Sequence, residues 1–62
     1  MLLEPLMTLS EVARYLRCHP STVYKLLRKG GLPGIQVANE WRFKRSLIND
    51  WIQQQQEVRI DG

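Results

Sequence analysis

The first half of the chain holds two stretches in which apolar side chains recur at the three- and four-residue spacing of an amphipathic helix. The first stretch predicts a helix over about 9–17, with an apolar face made of Leu9, Val12, Ala13 and Leu16. The second predicts a helix over 20–29, with an apolar face made of Val23, Leu26 and Leu27. Because only Cys18 and His19 separate them, we expect a helix-turn-helix, with the Cys18 thiol packed toward the core.

The residues at the predicted helix ends agree with these boundaries. Thr8 and Glu11 have the spacing of a capping box, in which each side chain accepts a hydrogen bond from the other residue's backbone N–H. Pro20 suits the first helical position because its missing N–H would be unpaired there, and His19 then occupies the N-cap. Gly30 follows the last turn, where a left-handed backbone is common.

After the second helix, apolar and polar residues alternate with the two-residue period of a β-strand. Segments 35–37 and 41–43 flank residues 38–40, which predicts a short hairpin with Asn39 at positive φ. We expect the two aromatic side chains of the second strand to face the core and its arginine to face the opposite side.

A third amphipathic helix is predicted over about 45–56, with a buried stripe made of Leu47, Ile48, Trp51, Ile52 and Gln55. Residues 1–7 predict an extended lead-in that packs on the core through Leu3, Leu6 and Met7, and residues 57–62 predict a disordered tail. The expected fold class is therefore mostly α with a small β-hairpin. It is a winged helix-turn-helix with element order α-α-β-β-α, which forms a single domain over residues 1–56.

Length and charge distribution narrow the function. A chain of 62 residues makes at most one domain and leaves little volume for a catalytic cleft. The formal net charge is +3, but eight cations fall between residues 14 and 45, against one acid, Glu40. A basic middle segment on so small a fold indicates a polyanionic partner, and double-stranded DNA is the partner we expect.

Cations, hydroxyls and an aromatic ring gather on the predicted second helix. Opposite its apolar face lie Ser21, Lys25 and Arg28, with Tyr24 on one flank and Thr22 and Lys29 on the other. Such a face suits the major groove of DNA, where long donors reach base edges and phosphates. The alternative is a basic surface helix that is only solvated.

The remaining cations are candidates for contacts to the DNA backbone. Arg42, on the predicted hairpin, is expected to contact a phosphate or the minor groove. Phosphate contacts are also expected from Arg14, Arg17, Lys29, Lys44 and Arg45. Two of these, Lys44 and Arg45, lie at the start of the third helix, where the helix dipole disfavours cations and a nearby phosphate would offset that effect.

The sequence gives little indication of a disulfide, a metal site, catalysis or membrane association. Cys18 is the one cysteine, which excludes an internal disulfide, and together with His19 it falls short of the three protein ligands that a zinc site needs. No nucleophile–base pair is spaced for catalysis, so we expect no enzymatic activity, no cofactor and no small-molecule substrate. The chain has neither a bilayer-spanning apolar run nor a signal peptide, so we expect a cytoplasmic protein without membrane association.

Three segments resemble the excisionase family of DNA-binding domains, which is related to the DNA-binding heads of MerR-type regulators. TLSEVARYL (8–16) resembles the first helix of the family, and STVYKLLR (21–28), with Gly30, Leu32 and Pro33, is similar to the second helix and its exit. WRF (41–43), with Ile48 and Trp51, resembles the wing and third helix.

The resemblance covers about residues 7–53 and has functional implications. It implies that the second helix enters the major groove and that the wing, 35–43, contacts an adjacent minor groove or the backbone. It also implies a role as an excisionase (a recombination directionality factor) that works with a recombinase or integrase, or as a small transcriptional regulator. The long coiled coil of MerR-type proteins is not present, so we expect a monomer in solution whose copies line up head-to-tail on DNA. The alternative is a protein–protein interaction module that uses the same basic face.

The chain departs from the family pattern at three positions. Arg17 stands where the family usually has glycine, so either the turn is rearranged or Arg17 is left-handed at a cost of about 1 kcal/mol. His19 replaces a small hydroxyl residue at the cap of the second helix. Glu40 puts a negative charge at the wing tip, where many relatives are basic or glycine-rich.

Overall fold

The computed structural model describes residues 5–58, with side chains described for residues 5–56. Its elements, in order, are β1 (Met7–Thr8), α1 (Leu9–Leu16), α2 (Pro20–Lys29), β2 (Ile35–Val37), β3 (Glu40–Phe43) and α3 (Arg45–Val58). The predicted order α-α-β-β-α is confirmed, with the additional strand β1 at its start. The second helix has the predicted bounds, and the third runs on to residue 58, into the segment predicted as a tail. Residues 59–62 of that segment lie outside the described part of the chain.

Hydrogen bonds define both ends of α1. The Thr8 backbone N–H donates to Glu11 Oε1 (2.8 Å) and the Glu11 N–H donates to Thr8 Oγ1 (3.1 Å), which confirms the capping box. At the other end, Arg17 has φ 60° and ψ 49°, and its N–H and that of Cys18 donate to carbonyls of the last helical turn. This is a Schellman motif built without glycine, and it ends α1 one residue earlier than predicted.

His19 caps α2, as predicted. Its Nδ1 accepts a hydrogen bond from the Ser21 backbone N–H at 3.1 Å. At the exit, Gly30 has φ −99°, so the prediction of a left-handed residue at this position is wrong. Gly31 is left-handed instead, with φ 73°, because the chain reverses one residue later: the Leu32 N–H turns back to a carbonyl of α2.

The strands form a three-stranded antiparallel sheet in the order β1-β3-β2. Met7 in β1 pairs with Phe43 in β3, and both side chains are buried. The sequence does not predict β1, because a strand of two residues has no period that can be recognised. Of the lead-in residues expected on the core, Leu6 is exposed, and Leu3 lies outside the described residues.

The register of the hairpin differs from the prediction by one residue. Its loop has two residues, so that Val37 pairs with Glu40 and Ile35 pairs with Arg42. The predicted three-residue loop would place Ile35 and Val37 on the core side, whereas the observed register turns them outward, 44% and 51% exposed. The positive φ also falls on the first loop residue, Ala38 (56°), and not on Asn39.

The core lies between the inner face of the sheet and the three helices. Its buried side chains are Met7, Val12, Ala13, Val23, Leu32, Phe43 and Ile48. Trp41 stacks on Phe43 with 6.4 Å between the ring centroids, which confirms that both aromatic residues face inward. The chain passes so close at Gly34 that a Cβ there would lie 2.9 Å from side-chain atoms of Leu27 and Phe43.

A narrower stripe than predicted attaches α3 to the core. Ile48 is fully buried, and Trp51 and Ile52 are half-buried against the core. Leu47 and Gln55 are exposed, so their assignment to the buried stripe is wrong. Both residues have the spacing of the buried stripe, but the core residues that pack against α3 cover only the centre of that stripe.

Candidate nucleic-acid interface

The polar face of α2 points into solvent. Ser21, Lys25, Arg28 and Lys29 are exposed, Tyr24 is 51% exposed, and Thr22 is half-buried. On the opposite face Val23 is fully buried, and Leu26 and Leu27 pack against the core. Because these apolar side chains fix the rotation of α2 about its axis, the polar face is held outward.

The positive charge of α2 is not neutralised within the helix. Its sequence, PSTVYKLLRK, contains no acidic residue. Among the described residues, neither Lys25 nor Arg28 forms an ion pair or a hydrogen bond. Arg28 and Lys29 lie in the last turn, where the helix dipole favours cations. This face is therefore a concentrated positive surface that can accept an anionic partner.

The Ser21 hydroxyl has a partner in the protein. Its Oγ lies 3.0 Å from His19 Nδ1. Since the same Nδ1 accepts the Ser21 backbone N–H, it carries no hydrogen, and the hydroxyl donates to it. The Ser21 oxygen is thereby left as an acceptor, which suits a base amino group better than a phosphate.

A groove of about 260 Å³ separates α2 from the wing, 35–43. It is lined by Thr8, Leu9, Ser10, Tyr24, Asn39, Glu40, Trp41 and Arg42. The fold thus brings together two of the predicted contact residues, Tyr24 and Arg42. It adds two polar residues, Ser10 and Asn39, that the sequence does not indicate, because no pattern in it places the start of α1 and the wing tip beside α2.

Arg42 is held by the wing itself. Its Nη2 lies 2.6 Å from Glu40 Oε1, and its Nη1 donates to the Trp41 carbonyl oxygen at 2.9 Å. Glu40 and Arg42 are two residues apart on β3, so their side chains share the outer face of the strand. A contact from Arg42 to a phosphate or to the minor groove therefore competes with Glu40.

Two further predicted residues, Arg14 and Arg45, line a second groove of about 390 Å³ between α1, α3 and the lead-in. The Arg45 guanidinium carbon lies 5.7 Å from the centroid of the Tyr15 ring. The Tyr15 hydroxyl in turn donates to Asn49 Oδ1 at 2.6 Å. No sequence pattern predicts this arrangement, because Tyr15 and Asn49 are 34 positions apart.

The last two predicted phosphate contacts, Arg17 and Lys44, are exposed on either side of these helices. Arg17 is in the turn after α1, Lys44 directly precedes α3, and neither lines the two grooves. The other predicted contact residues are distributed over the polar face of α2, the groove beside the wing and the groove between α1 and α3.

The described residues contain no cluster of three His, Cys, Asp or Glu side chains that would hold a metal ion. Cys18 is a free, half-buried thiol packed against the core. In the same part of the chain, no helix combines the length and the apolar character needed to cross a membrane.

Two helices joined by a short turn, a basic outward face on the second helix and a β-hairpin beside it define a winged helix-turn-helix. Residues 6–56 match the family described as "Helix-turn-helix domain". The chain belongs to this family, whose excisionase-type members are small DNA-binding domains. The resemblance found in the sequence is confirmed to this extent, and the relation to MerR-type regulators stays a prediction.

The chain is also similar to two proteins of Mycobacterium tuberculosis. "Putative DNA-binding protein MT0521" (strain CDC 1551 / Oshkosh) and "Putative DNA-binding protein Rv0500A" (strain ATCC 25618 / H37Rv) are each 33% identical to it over 48 residues. The aligned stretch is 77% of this chain, and the chain spans 62% of the length of each of these curated relatives. No solved structure matches the chain.

Proposed function

We propose that this chain binds double-stranded DNA, with α2 in the major groove and the wing against an adjacent minor groove or the backbone. One observation carries the proposal. On a helix whose rotation is fixed by the fully buried Val23, Lys25 and Arg28 point outward and have no partner among the described residues. Membership of the helix-turn-helix family and the names of the two relatives support the same function.

The residues of α2 differ in what they would contact. Arg28 is the best candidate for base reading, because its planar guanidinium can bind guanine O6 and N7 together, whereas Lys25 offers one point charge. Ser21, Thr22 and Tyr24 supply shorter polar groups on the same face. Five further cations would bind phosphates and set the position of the domain on the duplex: Arg14, Arg17, Lys29, Lys44 and Arg45.

The salt dependence of affinity tests this proposal. If about five phosphates are neutralised, the logarithm of affinity should fall against the logarithm of salt concentration with a slope of roughly −4 to −5. Fluorescence anisotropy with a labelled duplex measures the slope. Lys25→Ala and Arg28→Ala should each weaken binding clearly.

Gln54→Glu is the matched control for these variants. It lowers the net charge by the same one unit at an exposed position near the end of α3, and it should have much less effect. A slope near zero, or equal losses in all three variants, would contradict DNA binding through α2. A protein complex that forms without any shift of DNA would favour the interaction-module alternative.

For the biological role, we propose a binding protein without a catalytic step, acting as an excisionase with a recombinase or as a small transcriptional regulator. A single module of this size buries about 600–1,000 Å² against DNA, which favours copies lined up head-to-tail on repeated sites. Gel shifts with circularly permuted sites separate the two roles. Strong bending supports the architectural role in excision, whereas footprints over a promoter without bending support regulation.

A further inference from the structure

The outer face of the wing carries no net charge, in contrast to α2. Its two charged side chains, Glu40 and Arg42, form an ion pair with Nη2 and Oε1 2.6 Å apart. Their cross-strand neighbours on β2 are Val37 and Ile35, both apolar and exposed. While this ion pair is intact, the outer face of the wing is therefore attracted only weakly by the negative charge of DNA.

The geometry of the ion pair allows it to open. The Glu40 side chain is 67% exposed, so its carboxylate can be rehydrated, whereas the Arg42 side chain is 32% exposed and also donates to the Trp41 carbonyl. A phosphate that approaches Arg42 must replace Glu40 as acceptor, and it is repelled by the carboxylate until that exchange has occurred. Both residues line the groove that Tyr24 of α2 shares, so the exchange would take place beside the proposed major-groove contact.

We propose that Glu40 makes the contact between the wing and DNA conditional: it keeps Arg42 from binding phosphate unless α2 already holds the duplex in register. This inference rests on the proposed DNA binding and concerns the role of the wing in that binding. On an arbitrary sequence, contacts from α2 are too few to open the pair, and the wing stays unbound. On the correct sequence, the bound α2 holds the backbone close to Arg42, and the exchange proceeds. Glu40 thus lowers the affinity for both kinds of duplex, and it limits the contact between Arg42 and phosphate to the correct sequence.

Glu40→Gln is the test, because it removes the carboxylate charge and keeps the size of the side chain. Asp50→Asn is the matched control, since it makes the same chemical and charge change at an exposed position on α3. Affinity is measured against salt concentration for a random-sequence duplex and for a duplex obtained by binding-site selection.

For Glu40→Gln on the random duplex, we expect a salt slope steeper by about 0.9 and an affinity about five- to tenfold higher at 0.1 M salt, as one added phosphate contact requires. On the selected duplex Arg42 already binds phosphate, so the slope should change little, while the affinity should rise at least as much because the ion pair no longer has to open. Asp50→Asn should leave both slopes unchanged and have only a small effect on affinity, equal on the two duplexes. Adding Arg42→Gln to Glu40→Gln should return the slope to that of the unmodified protein.

Two results would overturn the inference while leaving DNA binding by α2 intact. In one, Glu40→Gln behaves like Asp50→Asn on both duplexes. In the other, Glu40→Gln weakens binding to the selected duplex, which would make Glu40 a direct contact to a base. If the unmodified protein binds neither duplex with a salt-dependent affinity, the proposed function itself fails, and the inference fails with it.

Discussion

The indole N–H of Trp51 in α3 donates a hydrogen bond to the carbonyl oxygen of Gly30, directly after α2, at 2.8 Å. Trp51 is half-buried and packs against the core. The bond therefore joins the end of α2 to a side chain that the core holds in position. Arg28 and Lys29 occupy the last turn before Gly30. The third helix therefore fixes the end of α2 at which the positive charge is concentrated.

Loss of this bond should lower stability. Trp51→Phe keeps an aromatic ring and removes the donor, and we expect the free energy of unfolding to fall by about 1 kcal/mol from the hydrogen bond alone. Trp41→Phe is the comparison, because among the described residues the Trp41 indole N–H has no acceptor. Urea unfolding followed by circular dichroism measures both variants. Equal losses in the two would show that the bond to Gly30 adds nothing.

Arg17→Gly should make the protein more stable. Arg17 has φ 60°, and a left-handed non-glycine residue is strained by about 1–2 kcal/mol, part of which glycine loses again through its greater chain entropy. We expect a net gain of about 0.5–1 kcal/mol, which for so small a domain raises the melting temperature by roughly 4–8 °C per kcal/mol. Arg17→Ala keeps the strain and should show no such gain. A glycine variant no more stable than the alanine variant would contradict the left-handed turn.

Because the observed hairpin register turns Val37 outward, a substitution there should have little effect on stability. Val37→Thr changes an outward side chain and should alter the free energy of unfolding by less than about 0.5 kcal/mol. The same substitution at the fully buried Val23 places a hydroxyl in the core and should lower stability by about 1–3 kcal/mol. Thermal unfolding compares them. A large loss at Val37 would instead support the three-residue loop, with Val37 facing the core.

Arg28→Lys should separate affinity from sequence discrimination. The charge is kept, so binding to a random duplex should hardly change. The planar fork is lost, so preference for a selected duplex should fall by about 1–3 kcal/mol. Competition between the two duplexes measures the preference, and Lys29→Arg serves as a control that also keeps the charge. An unchanged preference in Arg28→Lys would mean that Arg28 binds only phosphate.

Much of the fold can be predicted from local chemistry. The Thr8–Glu11 capping box, the His19 cap and the bounds of α2 all depend on residues close together in sequence, and the structure has each of them. The exposed cations of α2 are predictable for the same reason, since one helical period fixes both faces.

The features that cannot be predicted from the sequence depend on contacts between residues far apart in the chain. The partner of β1 is more than thirty residues away, at Phe43, and two residues show no strand period. The alternation alone does not distinguish a loop of two residues from one of three, and the observed two-residue loop turns Ile35 outward. The ion pair of Arg42 with Glu40 follows from that same register, because the two share the outer face of β3.

The central claim is that the outward face of α2 binds DNA, and a titration of ¹⁵N-labelled protein with duplex DNA tests it most directly. The account predicts that the largest amide shifts fall on Ser21, Lys25 and Arg28, with smaller shifts in wing residues 39–42 and almost none in residues 53–56 of α3. If the duplex binds while the amide signals of α2 do not shift, or if the shifts centre on the second groove, which Arg14 and Arg45 line, the claim is contradicted.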